Sequence, residues 1–248
     1  MHPLIVRSKI LAKAGFLHGF STRWASEAGP TGPGGAFPDD AIHLSGFFEA
    51  LGRDPGSALR VKQVHGNAVL QTPARDWSTE ADAIVLGPED APITPVIRTA
   101  DCVPVLVGDA FTGRVAAVHA GWQGVEKCVV KEAIQAMGGP AIRLVAAIGP
   151  CICTDCFEVG EEVASAVEGA SEPDVTDRSR GPKPHVDLRL AVRLQLRALG
   201  LRTESIEDVA GCTQCEPERF FSFRRDGANA GRQMAVIVPR ATRNLRHT

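Results

Sequence analysis

The stretch Thr99-Ala100-Asp101-Cys102-Val103-Pro104-Val105-Leu106-Val107-Gly108, followed by Arg114-Val115-Ala116-Ala117-Val118-His119-Ala120-Gly121-Trp122, sets the terms for the rest of the chain. Val103 to Gly108 and Arg114 to Val118 are apolar runs of strand length, rich in β-branched residues and bounded by Gly, Pro and Asp. Similar runs predict strands at Gly15 to Ser21, Leu59 to Val64, Ala68 to Thr72, Ala83 to Leu86, Pro95 to Arg98, Ile142 to Ile148 and Gln233 to Val238. Amphipathic stretches predict helices over Val125 to Met137, Cys156 to Val167 and Val186 to Leu199, with a weaker one over Ala41 to Leu51. Asp187 and Gly200 punctuate the third of these. Ser26 to Asp40 and Gly169 to Pro184 read as mobile loops that rim a site rather than as linkers, so residues 1–248 are expected to form a single domain.

Composition narrows the function. Of 248 residues, 44% are apolar and 23% charged, as in an ordinary globular protein. A formal net charge of −2 gives no broad cationic field, which argues against nucleic acid or an anionic membrane as the main partner. No apolar run approaches the ~20 residues of a membrane helix. Seven cysteines, with no signal peptide, fit a reducing compartment, and the expected location is the cytoplasm. No heptad pattern appears, and a monomer is expected.

Three segments each deliver a metal-competent side chain as a β-run ends: Val61-Lys62-Gln63-Val64-His65-Gly66, Thr99 to Pro104, and Ala117 to Trp122. A strand end fixes the side-chain direction, and small neighbours leave room for a substrate. The two imidazoles of His65 and His119 and the thiolate of Cys102 suit zinc, and three ligands leave a fourth position open, the form of a catalytic site. Taken singly, each residue has a plainer reading. A histidine near a strand end is commonly a hydrogen-bonded packing residue, and a lone cysteine is commonly a small core hydrophobe.

A resemblance joins the three. The runs Lys62 to Gly66, Thr99 to Asp109, Val115 to Gly124, Ala147 to Ile152, Cys156 to Val163, Cys212-Thr213, Phe220 to Gly227 and Gly231 to Ile237 stand in the order found in the YfiH family. That family is also called the multicopper polyphenol oxidase or purine nucleoside phosphorylase family, and the chain resembles it from about Leu17 to Val238. The resemblance implies an α+β fold, a four-layer α/β/β/α sandwich with mixed sheets. It also implies that His65, Cys102 and His119 are the metal ligands. Members are reported as zinc-dependent enzymes that phosphorolyse adenosine and related purine nucleosides and that deaminate adenosine; some bacterial members are named peptidoglycan editing factors or laccases.

Zinc-assisted deamination and phosphorolysis both suit such a site, and phosphorolysis calls for cations that bind phosphate. Lys62, Arg23, Arg98, Arg224 and Arg232 lie within or beside matched motifs and are the candidates, with surface salt bridging as the alternative. Gln63 and Trp122, inside the ligand motifs, are further candidates for substrate contact. Asp101 stands ready to orient a ligand, to act as a general base or to cap a turn. The expected partners are therefore a small nucleoside and phosphate, with zinc preferred to copper. Seven histidines, with His2 and His247 in the tails, are too few for a multi-copper cluster.

Two features depart from the family pattern. After His18-Gly19-Phe20-Ser21-Thr22-Arg23, the segment Trp24 to Asp40 lacks the Gly-Gly-Val-Ser and Ser-Leu-Asn motifs usual in the family. The pairs Cys153 with Cys156 and Cys212 with Cys215 would build a four-cysteine zinc site only if the fold brought them together. With Cys156 expected to enter a helix, and no Gly-bearing knuckle turn in either pair, they are read as buried or redox-inert thiols, as is Cys151. Competing functions are a metal-free Cys-His hydrolase or deamidase built on Cys102 and His119, a polyphenol oxidase, and an accessory factor in peptidoglycan precursor editing.

Overall fold

Two mixed sheets form where the β-branched runs predict strands. The computed structural model describes residues 3–25, 40–71 and 78–241. The strands are β1 (Ile5–Val6), β2 (His18–Ser21), β3 (Ala58–Leu59), β4 (Val69–Leu70), β5 (Ala83–Leu86), β6 (Thr94–Thr99), β7 (Val103–Asp109), β8 (Val115–Ala120), β9 (Leu144–Ile148), β10 (Thr176–Asp177), β11 (His185–Val186), β12 (Ile206–Asp208) and β13 (Gln233–Ile237). The helices are α1 (Lys9–Lys13), α2 (Asp40–Ala50), α3 (Trp122–Glu126), α4 (Val129–Met137), α5 (Glu161–Gly169), α6 (Leu188–Ala198) and α7 (Phe223–Asp226). One sheet runs β1-β2-β13-β6-β3, the other β12-β9-β7-β8-β5-β4, and β10 pairs with β11 apart from both.

Side-chain alternation along the strands sorts the residues into layers. On β7 and β8, Val103, Val105, Val107, Ala116, Val118 and Ala120 join the core shared with α3 to α6, whereas Leu106, Val115 and Ala117 join the core between the sheets. From the other sheet, Ile97, Ala235 and Ile237 meet that middle core, and Val96, Met234 and Val236 turn to Phe47 and Phe48 of α2. The stack is α2, five-stranded sheet, six-stranded sheet and helices α3 to α6, which is the expected four-layer α/β/β/α sandwich. Both sheets mix pairings: β3 is parallel to β6 and β13 antiparallel to it, while β4/β5 and β9/β12 are parallel within a sheet otherwise antiparallel. No helix among the described residues is long and apolar enough to cross a membrane.

Four local expectations are corrected. The strand expected over Leu59 to Val64 ends at Leu59, and the Gln63 side chain continues the pairing: its Nε2 donates to the Arg98 carbonyl at 2.7 Å and its Oε1 accepts the Arg98 N–H at 2.8 Å. The helix expected over Val125 to Met137 breaks at Cys128, which is left-handed at φ 56°. The Val125 carbonyl turns to the Cys128 N–H at 3.0 Å, and buried Gln195 adds a second bond to it at 2.8 Å. The helix expected from Cys156 starts instead at Glu161, because Phe157 and Val159 pair their backbones with Val186 and Pro184. Gly169 to Pro184, expected to be mobile, contains β10 and is tied down by Arg178, whose guanidinium reaches Glu161 and Glu168. The expected punctuation of α6 stands: the Asp187 carboxylate accepts the Leu190 N–H at 2.8 Å, and Gly200 follows the helix with φ 96°. Most of the divergent Trp24 to Asp40 segment lies outside the described residues.

Candidate metal centre

The chain crosses from the five-stranded sheet to the six-stranded sheet between Thr99 and Val103, and Cys102 sits in that crossing. Asp101 beside it has φ 84°, in the left-handed region that non-glycine residues seldom enter. It is held at several points. Its carboxylate accepts Thr213 Oγ1 at 2.6 Å, Ser222 Oγ at 3.1 Å and the Arg224 N–H at 2.6 Å, and its carbonyl accepts the Ile152 N–H at 3.0 Å.

His119 lies next to the end of β8, and His65 in the turn after Val64. Both depend on Asp82. That buried carboxylate accepts the backbone N–H groups of Val64, His65 and Gly66 at 3.2, 3.0 and 2.6 Å, a nest that fixes the left-handed His65 at φ 58°. It also bonds His119 Nδ1 at 2.7 Å, which aims Nε2 at Cys102, and its backbone carbonyl accepts the His119 N–H at 2.8 Å.

The donor atoms of His65, Cys102 and His119 all lie within 4.8 Å of one another, and Cys102 Sγ is 3.8 Å from His65 Nε2. Donors around a tetrahedral zinc ion are about 3.5 Å apart, so the three fit such an ion with slight contraction. Gly121 keeps the space: a Cβ there would stand 2.9 Å from His65 Cδ2 and 3.0 Å from Cys102 Sγ. Burial opposes ionisation of Cys102, but the His119 charge and hydrogen bonds from both histidines outweigh it and hold the thiol at about 6. Burial likewise opposes the imidazolium of His119, yet Cys102 and Asp82 raise it to about 9. Burial also opposes the Asp82 carboxylate, and the bonds from His119 and the backbone N–H groups lower its pKa nonetheless. The deprotonated sulfur that a metal needs is thus already favoured.

A cavity of about 810 Å³ opens over the three donors, within the range that small-molecule sites occupy. Of the residues singled out in the sequence, Gln63, Arg98, Asp101, Arg224 and Arg232 line it together with the donors. Gln63 spends its amide on the Arg98 backbone. Arg224 donates to the carbonyls of Cys156 and Glu158 at 3.2 and 2.9 Å, and Arg232 to those of Gly231, at 3.0 Å, and Ala230. Lys62, Arg23 and Trp122 stand outside the lining. Lys62 pairs with exposed Glu80 at 2.8 Å, Arg23 donates to the Pro217 carbonyl beside the Phe221 ring, and Trp122 packs against the helix-side core.

Sequence reasoning missed Asp82, along with His43, Phe157, Phe221 and Phe223 of the cavity wall. Asp82 left a signal: it is a carboxylate directly preceding the apolar run Ala83 to Leu86, where a buried charge must find several donors.

The family model described as multi-copper polyphenol oxidoreductase laccase matches residues 43–240. The chain belongs to this family. Relatives of the family member described here include adenosine deaminase RL5 from an unknown prokaryotic organism, 37% identical over 201 residues, covering 75% of this chain and 77% of that one. Purine nucleoside phosphorylase SCO2081 of Streptomyces coelicolor is 35% identical over 222 residues, covering 84% and 89%. Among solved structures of similar fold, YlmD from Geobacillus stearothermophilus superposes with a TM-score of 0.84 at 25% identity, covering 97% of each chain.

Proposed function

We propose that this family member is a zinc-dependent purine nucleoside phosphorylase acting on adenosine and related nucleosides in the cytoplasm, with adenosine deaminase activity from the same centre. The observation that carries the reading is the placement of the His65, Cys102 and His119 donors at a cavity whose wall includes Arg98, Arg224 and Arg232. Relatives named for these two activities support it.

In phosphorolysis, a phosphate oxygen bonds to the ribose C1′ as the bond from C1′ to the purine nitrogen breaks. The electron pair leaves with the purine, which takes up a proton. In deamination, a water oxygen bonds to the amino-bearing ring carbon and ammonia departs. Zinc bound by the three donors supplies a Lewis acid that polarises a leaving group or lowers the pKa of water.

The chain's own residues supply binding and orientation. Guanidinium groups recognise phosphate through paired N–H donors, and the reading gives that task to Arg98, Arg224 and Arg232 rather than to Lys62 and Arg23. The rings of Phe157 and Phe221 offer apolar faces to the base. Asp82 holds the His119 tautomer, and Asp101 is a positioning residue that ties Cys102 to the Arg224 backbone.

A Cys-His nucleophile is the second reading, favoured by the ionised Cys102 beside His119. It leaves His65 without a task. Among the described residues the group around Cys102 holds three donors, a set for one ion rather than a multi-copper cluster.

Chromatographic analysis of zinc-replete protein with adenosine, with and without phosphate, and with a Cys102→Ala control, tests the proposal. Phosphate-dependent adenine and phosphate-independent inosine, both lost in the control, are expected. Absence of both products overturns the purine reading, and activity that survives a strong chelator favours the Cys-His nucleophile.

A further inference from the structure

Two Cys-x-x-Cys pairs, about 60 residues apart in sequence, meet beside the cavity. Strands β9 and β12 run parallel with Ile148 opposite Asp208, and the chains leaving them remain side by side, with the backbones of Cys151 and Cys212 paired in register and the Thr213 N–H donating to the Cys151 carbonyl at 3.1 Å. Each chain then turns through its own pair. Cys156 closes a 3₁₀ turn instead of entering a helix, so its sulfur is free to face the other loop. Of the thiols expected to be buried or redox-inert, Cys151 is buried, but the two pairs are not: Cys153, Cys156 and Cys212 are half-buried, Cys215 is exposed, and the four sulfurs lie within 4.8 Å of one another.

We infer that Cys153, Cys156, Cys212 and Cys215 form a second metal site, a closed four-thiolate site of the structural zinc class. Sulfurs at about 2.3 Å from a tetrahedral ion lie about 3.8 Å apart. Cys153 Sγ is 3.8 Å and Cys156 Sγ 3.3 Å from Cys215 Sγ. The backbone N–H groups of Cys153 and Cys215 point at Cys212 Sγ at 3.3 and 3.4 Å, placing donors where a thiolate ligand carries its charge. Four protein ligands leave no open position, so the site has no place for a substrate.

Its task is to clip together two loops that stand behind one wall of the cavity, the first flanked by the lining residues Ile152 and Phe157 and the second reaching the lining through Asp101. In the first loop, the carbonyls of Cys156 itself and of nearby Glu158 hold the Arg224 guanidinium. Within the second pair lies Thr213, whose hydroxyl holds Asp101, the neighbour of Cys102. Arg225 adds bonds to the carbonyls of Thr213 and Gln214 at 3.0 and 3.3 Å. The four-sulfur site is independent of the reaction proposed for the His65, Cys102 and His119 centre.

Metal analysis of the full chain by plasma mass spectrometry, after purification with zinc and gel filtration, tests it. Two zinc per chain are expected in the wild type and one in Cys102→Ala, with His65→Ala as an alternative that removes only an exposed ligand of the first site. Cobalt loaded into either variant is expected to give the intense thiolate-to-metal absorption of a tetrahedral four-sulfur site, and Cys153→Ser/Cys156→Ser to lose that absorption and one zinc. Cys102→Ala and His65→Ala that both bind no metal at the four sulfurs would overturn the inference. So would peptide mapping that finds a disulfide between the two loops in freshly purified, zinc-replete protein.

Discussion

Asp82 Oδ1 stands 2.7 Å from His119 Nδ1, and the same carboxylate gathers the backbone N–H groups on either side of His65. Two histidines, one on β8 and one in the turn after Val64, therefore take their orientation from one residue that is not itself part of the cavity lining. Replacement of such outer partners weakens metal binding by about 10- to 100-fold. Asp82→Asn is expected to lose zinc affinity by that factor in a competitive chelator titration. An affinity equal to that of the wild type would show that the nest is dispensable.

The electrostatics of the metal-free pair give a pH prediction. Cys102 is lowered to about 6 and His119 raised to about 9, so between those values the sulfur is a thiolate and the imidazole carries a proton. Alkylation at Cys102, followed by peptide mass mapping, is expected to speed up as pH rises through about 6 and then level off. Binding a metal through His119 Nε2 expels that proton, so zinc affinity weakens as pH falls below about 9. Calorimetry near neutral pH in buffers of different ionisation enthalpy should register release of about one proton per zinc.

Gly121 isolates a steric effect. Its φ of −74° and ψ of 174° suit any residue, so Gly121→Ala brings no backbone strain, only a Cβ pressed against His65 and Cys102. Turnover is expected to fall by up to about 100-fold, the cost of ligand groups displaced by a fraction of an ångström to one ångström, while the melting temperature stays near that of the wild type. A large loss of melting temperature would place the fault in folding rather than in the donors.

Arg232 lines the cavity with its guanidinium anchored on the carbonyls of Ala230 and Gly231. Loss of a hydrogen bond to a charged group costs about 1.5–3 kcal/mol. Arg232→Ala is accordingly expected to raise KM for phosphate about tenfold or more and to leave phosphate-independent deamination largely intact. Equal losses in both reactions would remove Arg232 from anion binding.

Legibility in the sequence followed the range of the interactions. Ala83 to Leu86 was readable to the residue because a fully apolar run needs no knowledge of its partners. The three donors were readable through their motifs, which keep the small neighbours that the geometry needs. Asp82 was not, since its meaning lies in the backbone of a loop 16 to 18 residues away and in a histidine 37 residues away. The break at Cys128 and the delayed start of α5 also depend on distant partners, Gln195 for one and Pro184 with Val186 for the other. Likewise, each Cys-x-x-Cys pair is visible alone, but only the parallel neighbourhood of β9 and β12 shows that they belong together.

The crossing from β6 to β7 has a mechanical consequence. Between Thr99 in one sheet and Val103 in the other, only Ala100, Asp101 and Cys102 intervene, while His119 is carried by the second sheet and the turn bearing His65 is stitched to the first through Gln63. The donor triangle thus works as a gauge of how the two sheets are seated on each other. A shift in the middle layer, at Ile97 or Leu106, changes the reading on that gauge before it melts the protein, and thereby links the quality of a remote hydrophobic interior to the competence of the centre.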